Sequence, residues 1–353
     1  MAATITVAEG QAPFDLAALA AYLAQHVEGF EGAFTLSRFS GGQSNPTFKL
    51  AGARKSFVMR TKPAAAHLLL KSAHAIDREF RVQSGLAQSD VPVARMYCLC
   101  EDEAIIGRAF YIMEMLEGRV LWDQLLPGMQ PAERAAMYDE MNRVIAALHR
   151  VDPAAVGLAD YGKPGNYFAR QISRWSRQYQ DSRTDDLKAM DRLIEWLPAH
   201  IPEEPVEHVS IVHGDYRLDN LVFHPTEPRV IGILDWELST LGHPLADFSY
   251  QCMAWHVSPD VFRGIGGHDL AALGIPSAEA YVARYLERTG FTIQGDWNFY
   301  LSYNLFRIAA IMQGIKKRAL DGIASNSEAL KAAEATGPLA ELAWQFAVKA
   351  GAR

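Results

Sequence analysis

The chain has 353 residues, with 34 Lys+Arg against 41 Asp+Glu and a formal net charge of −7. That balance excludes nucleic acid or an anionic membrane surface as the main partner, while leaving room for local basic patches. Cys98, Cys100 and Cys252 have no zinc spacing and are odd in number, which reads as reduced thiols in a cytoplasmic protein.

No window reaches the roughly 20 uninterrupted apolar residues of a membrane span. Residues 1–27 lack the basic start and unbroken apolar core of a signal peptide. Residues 15–27 place Leu16, Leu19, Ala20 and Leu23 at helical spacing behind a capping Asp15. From Phe34 the pattern shortens into AFTLSRFSGG, PTFKLAG and KSFVMRTKP, three strands separated by turn residues. The first turn, Ser40-Gly41-Gly42-Gln43-Ser44-Asn45, reads equally as a hairpin turn or as a loop that offers backbone N–H groups to phosphate. Residues 67–86 predict a helix with Leu69, Ile76, Phe80 and Val82 toward the sheet. ARMYCLC and RAFYIMEML then form a hairpin around the turn EDEAIIG.

Residues 131–150 predict a long amphipathic helix through Met137, Met141, Val144, Ile145 and Leu148, with His149 capping its end. In 166–179, Phe168, Ile172, Trp175 and Tyr179 share one helical face. Arg170, Arg174 and Arg177 share another, which is either an ordinary solvated basic side or a site for an anionic substrate. Helices are also expected at 185–197, 277–289 and 296–317, with a Pro-rich linker at 201–206.

The most informative stretch is 211–250. His213-Gly214-Asp215 is followed by Asn220, and the apolar run Val230 to Leu234 ends at Asp235. Phosphoryl transfer from ATP needs a carboxylate to accept a proton from the attacking hydroxyl and oxygen ligands for magnesium. Asp215 suits the first role, and Asn220 with Asp235 the second.

HGDYRLDNLVFHPTEPRVIGILDWELSTLGHPLADFSY resembles the aminoglycoside phosphotransferase and choline kinase group, in the branch also found fused to acyl-CoA dehydrogenase domains. The resemblance covers roughly residues 30 to 320. It implies a two-lobed α+β protein-kinase-like fold, with an N-terminal antiparallel sheet lobe over 1–115 and a larger, mainly helical lobe over 116–353. It further implies ATP and Mg2+ as cofactors and a small-molecule hydroxyl acceptor, with Asp215 as base, Arg217 steadying the transferred charge, and Asp247 capping a helix or holding the catalytic loop by its backbone. Arg60 stands where the wider fold has a phosphate-binding lysine, with Glu79 as its helix partner. The backbone of Glu114, Met115 and Leu116 would bond the adenine edge, and Ser40, Gly41, Gly42 and Ser44 would cover the phosphates. Glu237 replaces the glycine of the aminoglycoside-modifying D-x-G, as a second magnesium ligand or a backbone partner. Tyr303 and Arg307 would wall the acceptor pocket. The branch implies a hydroxyacyl-CoA or related lipid-derived alcohol as acceptor. An amino-sugar such as an aminoglycoside is the runner-up, and an inactive nucleotide-binding pseudokinase the reading from another class.

Overall fold

A computed structural model describes residues 4–6, 12–39, 45–63, 75–203, 208–322 and 329–353. In chain order these form β1 (Thr4–Thr6), α1 (Leu16–His26), β2 (Thr35–Phe39), β3 (Thr47–Ala51), β4 (Ser56–Thr61), α2 (Ile76–Leu86), β5 (Met96–Cys100), α3 (Glu103–Ile106), β6 (Phe110–Glu114) and β7 (Arg119–Val120). There follow α4 (Pro131–Arg150), α5 (Tyr167–Asp181), α6 (Lys188–Ala199), β8 (Ser210–Val212), β9 (Leu221–Phe223), β10 (Val230–Ile233), β11 (Thr240–Gly242) and α7 (Pro244–Cys252). The chain ends with α8 (Leu270–Leu273), α9 (Ala278–Thr289), α10 (Trp297–Leu320), α11 (Ala329–Ala333) and α12 (Thr336–Lys349). Among the described residues no helix is long and apolar enough to cross a membrane.

The chain divides into two compact units. The first is assembled from three segments, Met1–Leu121, Pro153–Tyr161 and Asp219–Ser239. Its main sheet is antiparallel, in the order β1-β2-β3-β4-β6-β5. Side chains alternate across a strand, and the two faces are covered by different helices. Leu36, Phe48, Leu50, Phe57, Met59, Phe110 and Ile112 pack with Leu19 and Leu23 of α1. Val58, Tyr111 and Met113 pack with Ile76 of α2. Asp15 begins α1 by accepting from the amides of Ala17 and Ala18 at 2.8 and 3.0 Å, a standard use of Asp at a helix start. A smaller sheet, β10-β9-β7, completes this unit.

The second unit comprises Trp122–Asp152, Gly162–Leu218 and Thr240–Arg353. It is mainly helical, with β8 and β11 as a two-stranded antiparallel sheet. In α4 the buried residues Met137, Met141, Val144, Ile145 and Leu148 recur at three and four, as the apolar spacing predicts. α10 is buried from Phe299 through Ala310, because α5, α7 and α12 all pack on it. The chain therefore has the α+β kinase-like composition expected, an antiparallel sheet early and helices late. The predicted helix at 67–86 is described only from Ile76 onward.

Candidate active site

Alternation along β4 puts Arg60 on the same face as Val58, the face that α2 covers. On α2, Glu79 shares the buried side with Ile76, Val82 and Gln83. Arg60 Nε lies 3.1 Å from Glu79 Oε2, and the Glu79 side chain is only 2% exposed. Two further donors point at this carboxylate: Asn45 Nδ2 to Oε1 at 2.9 Å and the Tyr111 hydroxyl to Oε2 at 3.0 Å. Tyr111 reaches it because it is paired with Arg60 across β4 and β6. Burial pushes the Glu79 carboxyl upward, opposed by Arg60 and by the bonds from Tyr111 and Asn45. The net direction is upward, with the permanently charged guanidinium of Arg60 as the largest opposing influence.

The other end of Arg60 faces two more acids. Its Nη2 is 3.1 Å from Asp235 Oδ1 and 3.5 Å from Glu237 Oε2. Burial works against the charge on Arg60, but Glu79, Tyr111, Asp235 and Glu237 outweigh it and hold the guanidinium proton more firmly than usual. The β9–β10 hairpin places these acids. Leu221 pairs with Ile233, and the Leu234 amide donates to the Asn220 carbonyl at 2.8 Å, so Asn220 and Asp235 flank the same end of the hairpin. Asp235 adopts φ 63° and ψ 60°, a left-handed backbone that Asp tolerates better than most residues but still at a cost.

Among the described residues no three His, Cys, Asp or Glu side chains cluster as a metal cage. Magnesium in phosphoryl-transfer sites is usually held by one or two carboxylates together with substrate phosphates and water. Asp235 and Glu237, whose oxygens already converge on one cationic nitrogen, fit that donor set, and the Asn220 backbone lies across the hairpin end from Leu234, next to Asp235.

The segment between β6 and β7 is closely packed. A Cβ at Gly118 would collide with the Phe223 carbonyl and the Val222 side chain, so only glycine lets the chain pass β9 here. The Glu114 amide donates to the Arg95 carbonyl at 2.8 Å and is not offered to a ligand. Met115 and Leu116 both pack against the Val58, Ile76 and Tyr111 cluster. Ser40, Gly41, Gly42 and Ser44 lie outside the described residues.

In the second unit β8 leads into His213-Gly214-Asp215, with Gly214 at φ 83°. Buried Asp247, in the first turn of α7, accepts from the amides of His213 at 2.6 Å and Gly214 at 2.8 Å. Its Oδ2 also meets His149 Nε2 at 3.1 Å, and His149 Nδ1 meets the Tyr285 hydroxyl at 2.6 Å. Burial opposes the charge on Asp247, but the bond from His149 and the amide and charge of His213 prevail and hold the carboxyl below its ordinary range. The loop is thus held through its backbone by Asp247. His149, expected as a helix-end cap, instead follows Met141 and Ile145 at intervals of four on the inward stripe of α4, which carries its ring into the core.

The carboxylate of Asp215 is fixed on both oxygens. Oδ1 accepts from the Tyr250 hydroxyl at 2.5 Å, and Oδ2 lies 3.3 Å from Arg217 Nε. Burial, then the Asp215 charge, pushes the Tyr250 phenol well above its usual range, so it stays a donor at neutral pH. Arg307 is buried and donates to the Gly214 carbonyl at 2.5 Å, with its guanidinium over the rings of Tyr250 and Trp175. Tyr303 is fully buried, its ring edge-on to Phe168 at 5.2 Å. On α5, Phe168, Ile172, Trp175 and Tyr179 face inward. Arg174 and Arg177 are exposed and Arg170 half-buried, donating to the Lys163 carbonyl at 2.7 Å.

The first unit thus brings together Arg60, Glu79, Asp235 and Glu237, with Asn220 beside Asp235. The second gathers Asp215, Arg217 and Arg307, and the chain passes from one unit to the other between Leu218 and Asp219. Sequence reasoning left Tyr250, Asn45 and Tyr111 without roles. Tyr250 closes the informative stretch, and Asn45 closes the glycine turn.

Residues 35–297 match the phosphotransferase enzyme family. Acyl-CoA dehydrogenase family member 10 of Mus musculus is 45% identical over 324 residues, which cover 91% of this chain. The chain spans less than half the length of the curated relatives it matches, 30% in that case. A crystal structure from Ralstonia eutropha JMP134, provisionally described as an aminoglycoside phosphotransferase, is 61% identical with a TM-score of 0.89, covering 95% of this chain and 99% of that one. Spectinomycin phosphotransferase APH(9)-Ia, crystallised with ADP and spectinomycin, shares the fold at 12% identity, with a TM-score of 0.61 and coverage of 93% of this chain and 97% of that one. With its kinase-like fold and a family match over most of its length, the chain belongs to the phosphotransferase enzyme family.

Proposed function

We propose that the chain is an ATP-dependent small-molecule kinase that transfers the γ-phosphoryl group to a hydroxyl, and that the acceptor is a hydroxyacyl-CoA. The observation that carries the kinase reading is the double engagement of Arg60, paired with buried Glu79 on one side and with Asp235 and Glu237 on the other. In this reading Glu79 orients Arg60 for the nucleotide phosphates, and the Met115 and Leu116 backbone serves the adenine edge. Asp235, Glu237 and Asn220 would hold magnesium, which when bound neutralises charge on the phosphates. Asp215, fixed by Tyr250, accepts the proton of the acceptor hydroxyl, and Arg217 steadies the developing charge.

The acyl-CoA part rests on the curated relatives, which are named as acyl-CoA dehydrogenases and of which this chain covers less than half, and on the exposed arginines of α5. An aminoglycoside is a cation and would favour an acidic lining. The test is magnesium-dependent ADP release by wild type and Asp215→Ala with hydroxyacyl-CoA thioesters, free hydroxy acids, choline, sugars and aminoglycosides. Turnover of the thioesters alone, lost in the variant, is expected. Turnover of aminoglycosides alone would replace the acceptor, and nucleotide binding without turnover of anything would favour a pseudokinase.

A further inference from the structure

Away from the His213–Asp215 loop, α5 and α10 of the second unit border a groove of about 630 Å³. Arg170, Arg174 and Arg177 line it from α5, and Lys317 and Arg318 from α10, five cations against the single carboxylate of Asp181. Among the described residues no carboxylate forms an ion pair with Arg170, Arg174, Arg177 or Arg318, while Lys317 is engaged by Asp321 at 2.6 Å. Like charges at i, i+4 and i+7 of one helix oppose its stability. The floor carries a second local cost. Gly314 sits inside α10, where glycine is about 1 kcal/mol worse than alanine. A Cβ there would lie 3.4 Å from Gln178 Nε2 and 3.7 Å from Arg318 Nη1, so larger side chains would fill the groove. Both features act against helix stability, and both keep a basic groove open in a chain whose net charge is −7.

The groove also has a definite relation to Asp215. Trp175, between Arg174 and Arg177 in sequence, packs its ring under Arg307, and Arg307 holds the Gly214 carbonyl. Gly314, Lys317 and Arg318 follow Arg307 on the same helix, about 10–16 Å further along at 1.5 Å per residue. An acceptor bound here would need an anionic end and a flexible arm of about that length before its hydroxyl. Guanidinium groups match phosphate oxygens in pairs, and five cations exceed what one phosphate requires.

We infer that the groove binds the phosphate-bearing nucleotide end of a coenzyme A thioester, with the pantetheine arm carrying the hydroxyacyl group to Asp215. This rests on the hydroxyacyl-CoA reading of the acceptor. The experiment is calorimetric titration of coenzyme A into the full chain, wild type against the Arg177→Glu/Arg318→Glu double variant, both side chains being exposed. Binding should weaken roughly ten-fold or more in the variant and should weaken with added salt in the wild type. In parallel, the ratio of kcat/KM for a hydroxyacyl-CoA to that for the matching hydroxyacyl-pantetheine, which lacks the phosphates, should fall by a similar factor. Equal coenzyme A affinity in the two proteins would overturn the assignment, as would displacement of coenzyme A by inorganic phosphate at equal concentration. Turnover of the thioester with an unchanged ratio would remove the groove and leave the acceptor reading standing. Charge-dependent binding of coenzyme A without turnover of any thioester would keep the groove as its site and remove the acceptor reading.

Discussion

The Tyr250 hydroxyl donates a 2.5 Å hydrogen bond to one oxygen of Asp215 and so fixes the carboxylate that the proposed mechanism uses as base. Tyr250→Phe keeps the ring under Arg307 and removes only the donor. Its kcat should fall about ten-fold, the effect of one hydrogen bond to a charged group, with the KM for ATP unchanged. Asp215→Asn should lose roughly 10²–10⁴-fold. Steady-state kinetics checks both, and an unchanged kcat in Tyr250→Phe would reduce Tyr250 to packing.

Arg60→Ala leaves the Glu79 carboxylate buried without its cation. The expected cost is about 3–5 kcal/mol in urea unfolding, together with a raised KM for ATP. Combining Arg60→Met with Glu79→Gln should cost less than the two single changes added together, because both charges leave at once. Strict additivity would mean that the pair is not coupled.

Asp247 links acid sensitivity to the catalytic loop. Its carboxyl is held below the ordinary range by His149 and His213, so the folded state binds fewer protons than the unfolded chain. Its contribution is complete above the ordinary carboxylate range and is lost as pH falls through the lowered folded value. Asp247→Asn should therefore cost about 3 kcal/mol at neutral pH, and the gap to wild type should narrow below about pH 4. Urea unfolding at neutral and acid pH measures this, and a gap constant with pH would contradict it.

Asp235→Asn should raise the Mg2+ concentration needed for half-maximal turnover by about ten-fold or more. Glu237→Gln should raise it less, since Glu237 lies further from the shared cation position, at 3.5 rather than 3.1 Å. Magnesium titration at fixed ATP decides, and an unchanged requirement in both would exclude these carboxylates as metal ligands.

What was legible in the sequence was what repeats locally. The 3.6-residue spacing in 131–150 returned α4 with the same bounds, and alternation returned β2, β3 and β4. The turn EDEAIIG hid α3, started by the Asp102 side chain and closed by Gly107 at φ 79°. α12 has no side-chain cap to mark its start. It is held by tertiary contact with α10, including Ser302 Oγ to the Ala343 carbonyl at 2.9 Å. The same distinction separates the candidate site residues. Spacing marks Asp215, Asn220 and Asp235, whereas Tyr111 meets Glu79 only through a cross-strand register, and Asn45 and His149 only through packing of distant segments.

The three-segment make-up of the first unit bears on how it is made in the cell. Its large sheet can pair as soon as the ribosome releases it. Arg78, however, donates to the carbonyls of Tyr161 and Ser239, and Arg119 to that of His224. The Pro92 carbonyl likewise waits for the Ile233 amide. At about 5–20 residues per second, these partners arrive on the order of ten seconds after the sheet. A nascent chain halted before the β9–β10 hairpin should therefore expose an incomplete first unit to proteases and chaperones, and folding of that unit closes with the segment that carries Asn220 and Asp235.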